Sequence, residues 1–165
     1  SLELISINES GKAIKQLKPL SKKSNHPWVK LALAEAYQAN NQHQKALTLL
    51  RELSKALPDY LPVTLRYALT LNTNNQPQKS ITILKHQLQI NDEPIIHKIL
   101  AQAYFKNGQI SAALESTGNQ YAKEGYYELA LQQYDMALQQ PNLSISTQKR
   151  LRTKKDTVNL LADKK

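Results

Sequence analysis

An all-α fold of stacked helical hairpins is the class that this 165-residue sequence predicts. Two observations carry it. The run Asn40-Asn41-Gln42-His43-Gln44-Lys45-Ala46 returns 34 residues later as Asn74-Asn75-Gln76-Pro77-Gln78-Lys79-Ser80, with five identities and one Ala-to-Ser exchange. A skeleton of small and large positions returns with it: Ala34, Tyr37, Ala46 and Leu50, then Ala68, Leu71, Ser80 and Leu84. A third copy, one residue shorter, reads Ala101, Tyr104, Ala113 and Thr117. Small residues belong where the two helices of a hairpin cross, because a Cβ substituent larger than that of Ala holds the backbones apart. The Tyr or Leu one turn further on covers the crossing.

A period of 34 is that of the tetratricopeptide repeat, a helix–turn–helix unit that stacks into a solenoid. The sequence predicts three to four such repeats and a C-terminal capping helix, about nine helices in all. Residues 1–26 read as a truncated repeat, mainly its second helix. That helix is expected over 9–22, with Ala13, Ile14, Leu17 and Leu20 on one side and Pro19 interrupting it. The chain also opens partway through a helical pattern, which reads as a piece of a longer protein.

The repeats proper are expected over residues 27–143. Pro27 suits a first helical position, where no N–H is needed. Its helix runs to Ala39, Asn40-Asn41 make the turn, and the partner helix spans His43 to Ala56 before Pro58. The second repeat covers 61–91, with Pro77 opening its second helix; the third starts at Pro94, turns at Asn107-Gly108 and enters a helix at Gln109. There the period breaks. The next set is Gly118, Tyr121, Ala130, Tyr134 and Ala137, and Tyr121 follows Tyr104 by only 17 residues, half a repeat. The geometry that satisfies this spacing is a helix over 109–124 that serves two repeats. Gly125 ends it, Tyr126 to Gln139 form the partner, and Pro141 closes the unit. A basic capping helix and tail occupy 144–165, with Leu151, Val158, Leu160 and Leu161 available for packing. An end repeat otherwise leaves its apolar face wet.

Composition narrows the function classes. There are no cysteines, which removes disulfides, thiolate metal sites and a Cys nucleophile together. No run approaches the roughly 18 apolar residues of a membrane span, and no signal-peptide pattern opens the chain. The net charge of +9 sits at the ends: residues 24–148 carry ten basic and nine acidic side chains, while 1–23 contribute +3 and 149–165 contribute +5. A nearly neutral body does not describe a nucleic-acid groove, which interleaves cations and aromatics along one face.

Residues 94–152 carry more than a generic repeat. Ile99-Leu100-Ala101-Gln102-Ala103-Tyr104, Asn107-Gly108, Ala112-Ala113, Tyr121 with Gly125, Glu128-Leu129-Ala130-Leu131-Gln132-Gln133, Ala137-Leu138 and Gln148-Lys149-Arg150-Leu151-Arg152 form a set. It resembles the C-terminal tetratricopeptide domain of periplasmic HExxH zinc metallopeptidases, the beta-barrel assembly-enhancing proteases. The resemblance implies a periplasmic location and a peptidase domain N-terminal to this stretch, with zinc bound there. It also implies that the repeats recruit the outer-membrane barrel-assembly machinery, barrel clients or the parent's own peptidase domain. No HExxH occurs in this sequence. No catalytic residue, metal ligand or cofactor is therefore expected within it, and it is expected to hydrolyse no protein. The competing expectation is a free-standing, non-enzymatic adaptor or lipoprotein of the same fold.

The candidate partner-binding residues follow from repeat position. Positions 2, 5, 9 and 12 of each first helix line the inner surface of this architecture. In the first repeat these are Trp28, Leu31, Glu35 and Gln38. In the second they are Pro62, Leu65, Leu69 and Asn72, and in the third Ile95, Lys98, Gln102 and Phe105. Leu31 and Glu35 stand where a carboxylate clamp would place Lys and Asn, so an apolar segment is the better fit. Trp28 packs on the N-terminal helix or faces the groove. Tyr37, Tyr104, Tyr121 and Tyr134 fall at core positions, and Ala46, Ala113 and Ala130 at helix crossings. Lys149, Arg150, Arg152, Lys154 and Lys155 form a secondary basic surface, expected as the solvated face of the capping helix. The four histidines, His26, His43, His86 and His97, lack the spacing of metal ligands.

Overall fold

The computed structural model describes residues 2–24 and 26–163, with side chains from residue 9 onward. Among these there are nine α-helices and no strand. They are α1 (Leu2–Lys23), α2 (Pro27–Ala39), α3 (His43–Ala56), α4 (Leu61–Thr73), α5 (Pro77–Ile90), α6 (Pro94–Lys106), α7 (Ile110–Glu124), α8 (Tyr127–Leu138) and α9 (Ile145–Ala162). The chain divides into two compact units, Ser1–Gln76 and Pro77–Lys165.

In the first unit, helix ends follow the punctuation of the sequence. Pro27 sits at the start of α2 behind an extended His26. Asn41 (φ 57°) and Asn75 (φ 54°) take left-handed backbone in the turns after α2 and α4. Asn tolerates that region better than most residues with a Cβ, which explains why the Asn-Asn pair recurs. Ala34 and Ala46 are fully buried, as expected at a helix crossing. Leu31, Ala34, Leu50, Leu53 and Val63 form one core cluster across α2, α3 and α4. Leu33, Tyr37 and Ala46 form another, against which Ile14 and Leu17 of α1 pack.

The N-terminal helix differs from expectation in three ways. It starts at Leu2 rather than near residue 9, because Leu2 to Ser10 contain neither Pro nor Gly to stop a helix. Pro19 lies inside it, and the helix runs on to Lys23 without the expected interruption. Leu20 is half exposed while Ile14 and Leu17 face the core, so the apolar stripe is narrower than the sequence suggested.

In the second unit, α6 packs on α5 and α7, α7 on α6 and α8, and α8 on α9. One helix thus serves two hairpins. Gly108 (φ 74°) follows α6 and Gly125 (φ 82°) caps α7, both in the left-handed conformation that ends helices. At Gly118 an added Cβ would lie 2.5 Å from Tyr134 Cε1, so α7 accepts the phenol ring only because that position has no side chain. Tyr134, Ala130 and Ala137 of α8 form the core with Leu151 and Val158 of α9. Ser144 caps α9, its Oγ accepting the Thr147 N–H at 3.2 Å. Leu160 and Leu161, expected to pack, are exposed. The buried stripe of α9 runs through Leu151 and Val158, two turns apart, and Leu160 and Leu161 lie off it.

Candidate functional site

Repeat position places Lys98, Gln102 and Phe105 on one face of α6, each three or four residues from the next. Across from them stand Ile110, Leu114 and Thr117 of α7 and Met136 of α8. Together these side chains enclose a groove of about 640 Å³. Its apolar groups are open to solvent: Phe105 is 67% exposed, Met136 48% and Ile110 38%. Among the residues that line it are two lysines, Lys98 and Lys106, and no carboxylate. Ile95, on the same helix, is exposed but lies outside this groove. Sequence reasoning found the α6 side and missed Ile110, Leu114 and Met136. Their spacing of i, i+4 within α7 was visible, but a helix assigned to two repeats left no face for a surface site.

The first unit treats its candidates differently. Trp28 is 55% exposed and sets its ring edge-on to Tyr60, with centroids 6.2 Å apart at 79°. Its aromatic neighbour is therefore Tyr60, on the residue before α4. Glu35 forms an ion pair with Arg66, and the Gln38 Nε2 donates to Thr70 Oγ1 at 2.6 Å. Leu65 and Leu69 are half-buried. Leu31 and Asn72 do not line a surface: they are 4% and 3% exposed. Because α2 packs directly on α4, the fifth position of α2 is drawn into the core beside Val63.

Three of the five cations of α9 are engaged inside the second unit. Arg150 grips Glu115 with both arms, Nε to Oε1 at 2.9 Å and a terminal N–H to Oε2 at 2.8 Å. Lys154 donates to Asn119 Oδ1 at 2.7 Å and lies 3.5 Å from Glu115, and Lys155 pairs with Asp135. Burial works against the charge of Glu115, but Arg150 and Lys154 outweigh it and hold the carboxyl below its ordinary 4.5. The secondary basic surface shrinks accordingly, with Lys149 and Arg152 the exposed cations that have no carboxylate partner among the described residues. The sequence could not show this, since Glu115 and Arg150 are 35 residues apart.

A second, smaller cavity of about 300 Å³ borders this network. The buried His97 shares a hydrogen bond with Asp92, Nε2 to Oδ1 at 2.7 Å, and Lys123 binds the other Asp92 oxygen at 2.6 Å. Burial pushes His97 below its ordinary 6.5 in spite of Asp92. Burial opposes the charge of Asp92 as well, but Lys123 and His97 hold it below 3.8. Among the described residues no three His, Cys, Asp or Glu side chains converge as a metal ion would need.

The tetratricopeptide repeat family model matches residues 11–63, which run from α1 through α2 and α3 into α4. Residues 11–63 thus carry tetratricopeptide-repeat sequence. Among solved structures, the MamA RS-1 ArsTM double mutant is similar with a TM-score of 0.66 at 15% identity, covering 99% of this chain and 94% of that one. TTC0263, a thermophilic tetratricopeptide protein of Thermus thermophilus, is similar with a TM-score of 0.56 at 22% identity, covering 91% and 75%. At such identities the likeness establishes the fold. No curated protein matches the chain. Tetratricopeptide domains bind proteins on the surfaces their stacked hairpins expose. No helix among the described residues is long and apolar enough to cross a membrane.

Proposed function

We propose that this domain is a protein-interaction module whose main contact surface is the groove of α6, α7 and α8. The observation that carries this reading is the cluster of exposed Phe105, Ile110 and Met136 around one concavity. Grouped apolar surface of this kind is costly to leave wet and usually marks a partner site. In the first unit the exposed Trp28 is seated on Tyr60, and the polar candidates Glu35 and Gln38 already have partners. That unit is the weaker binding surface.

The test is in-situ crosslinking in the native host. Phe105→Asp with Met136→Asp should abolish partner capture while leaving helical circular dichroism unchanged. If capture survives those changes and is lost with Lys149→Glu and Arg152→Glu, the site is α9 and the groove reading fails.

A narrower role is supported by the residues of 94–152 that resemble periplasmic zinc metallopeptidases. On that reading the domain recruits barrel clients or the barrel-assembly machinery for a zinc-bearing peptidase domain elsewhere in the same protein. The complete reading frame decides it. An upstream HExxH with a later zinc-ligand Glu supports the peptidase; a short leader followed by further repeats makes the protein a free-standing adaptor or lipoprotein.

A further inference from the structure

We infer that the groove of the second unit takes an acidic amphipathic helix, laid with its apolar face on Phe105, Ile110 and Met136 and a carboxylate against Lys98. This rests on the reading that the groove is the binding surface, and it names the occupant.

Charge comes first. The charged groups lining the groove are Lys98 and Lys106, and no Asp or Glu shares the lining. Lys98 is exposed and has no hydrogen bond or ion pair among the described residues. A basic or neutral segment would leave that ammonium without a partner, whereas an acidic one complements it and is steered toward it.

Hydrogen-bonding capacity then separates a helix from an extended strand. An extended segment brings unpaired N–H and C=O groups that must find partners in the groove. Most of the polar side chains there are already occupied. Gln120 donates to Glu124, Gln140 to the Met136 carbonyl and Thr117 to the Ala113 carbonyl. Gln102 alone of these amides is without an internal bond. One amide cannot satisfy a strand crossing a groove of about 640 Å³. A helix arrives with its backbone satisfied and needs only an apolar stripe at i, i+3 or i+4, and i+7.

The experiment is selection of random linear 16-residue peptides displayed on phage against the whole 165-residue chain, with depletion on the Phe105→Asp variant. Enriched sequences should combine an i, i+3/i+4, i+7 apolar pattern with Asp or Glu, and the synthetic peptides should become helical on binding. Lys98→Glu should weaken them by about three- to tenfold, the range expected for reversing an exposed charge pair. Replacing the peptide carboxylate by Lys should restore binding to that variant. Enriched peptides that are basic, Pro-rich or non-helical when bound would overturn the acidic-helix inference while leaving the groove as the site. So would acidic peptides indifferent to Lys98→Glu. Absence of any Phe105-dependent enrichment would overturn both.

Discussion

Ala34 of α2 and Ala46 of α3, small residues at the expected helix crossing of the first unit, are both fully buried. In the second unit Gly118 yields its whole side-chain volume to the ring of Tyr134. The first unit closes its core with aliphatic clusters and keeps its ion pair, Glu35 with Arg66, partly exposed. The second ties α9 down with a buried carboxylate held by Arg150 and Lys154, and Asn119 receives both Lys154 and the Tyr134 hydroxyl, the latter at 3.0 Å. The same hairpin pattern can thus be sealed by small residues or by a large aromatic with a polar fastening. The second solution is more specific in geometry and more sensitive to pH.

The largest effect expected from this difference comes from Tyr134→Ala. Removing a fully buried aromatic costs about 3–5 kcal/mol, and here it also takes a hydrogen bond from Asn119. Chemical denaturation would measure it. A loss below about 1 kcal/mol would mean that Tyr134 is not the wedge that joins α7, α8 and α9.

A smaller effect sharpens the contrast at the crossings. Ala46→Leu should overpack the first unit by about 1–3 kcal/mol. Gly118→Ala should cost a similar amount although it adds a single carbon, since that carbon would sit 2.5 Å from a ring already fixed by packing. In an open helix the same change would stabilise by about 1 kcal/mol. A rise in melting temperature for Gly118→Ala would therefore break the comparison outright.

The smallest expected effect is a pH dependence seated in the second unit. His97 is held neutral in the fold below its ordinary 6.5, so the unfolded chain binds the extra proton as the solution is acidified. Its contribution is complete above 6.5 and is lost as the pH falls through and below that value. Glu115 and Asp92, whose folded carboxyls titrate below 4.5 and 3.8, add a second loss at lower pH with the same sign. Melting temperatures between pH 7.5 and 5.5 should decline, and His97→Gln should flatten that decline. An unchanged slope in the variant would place the titrating group elsewhere.

How much of this was legible depended on whether a feature is local. Pro27, Pro77 and Pro94 set helix starts, and the Asn-Asn and Asn-Gly turns set helix ends, because each acts through its own backbone. The shared helix α7 could be read from the 17-residue spacing of Tyr104 and Tyr121. Leu31 could not be told from Leu65 by its place in the repeat. One is swallowed where α2 meets α4 and the other stays half open, which depends on the neighbour. The groove was half legible for the same reason: α6 supplied its side by repeat position, while Ile110 and Met136 came from elements that no position rule assigned to a surface. Basic residues on α9 looked like a solvated face because the carboxylates that engage them lie 35 and 20 residues away.

The double duty of α7 also limits how this protein can be edited. Arrays of independent hairpins lengthen or shorten by whole units, since each cut removes both halves of a pair and leaves the remaining pairs intact. Here α7 packs on α6 and on α8 together. Any excision that takes it strips a partner from both α6 and α8 at once. A loss of length that removes α7 is therefore expected to cost stability at two helix interfaces together.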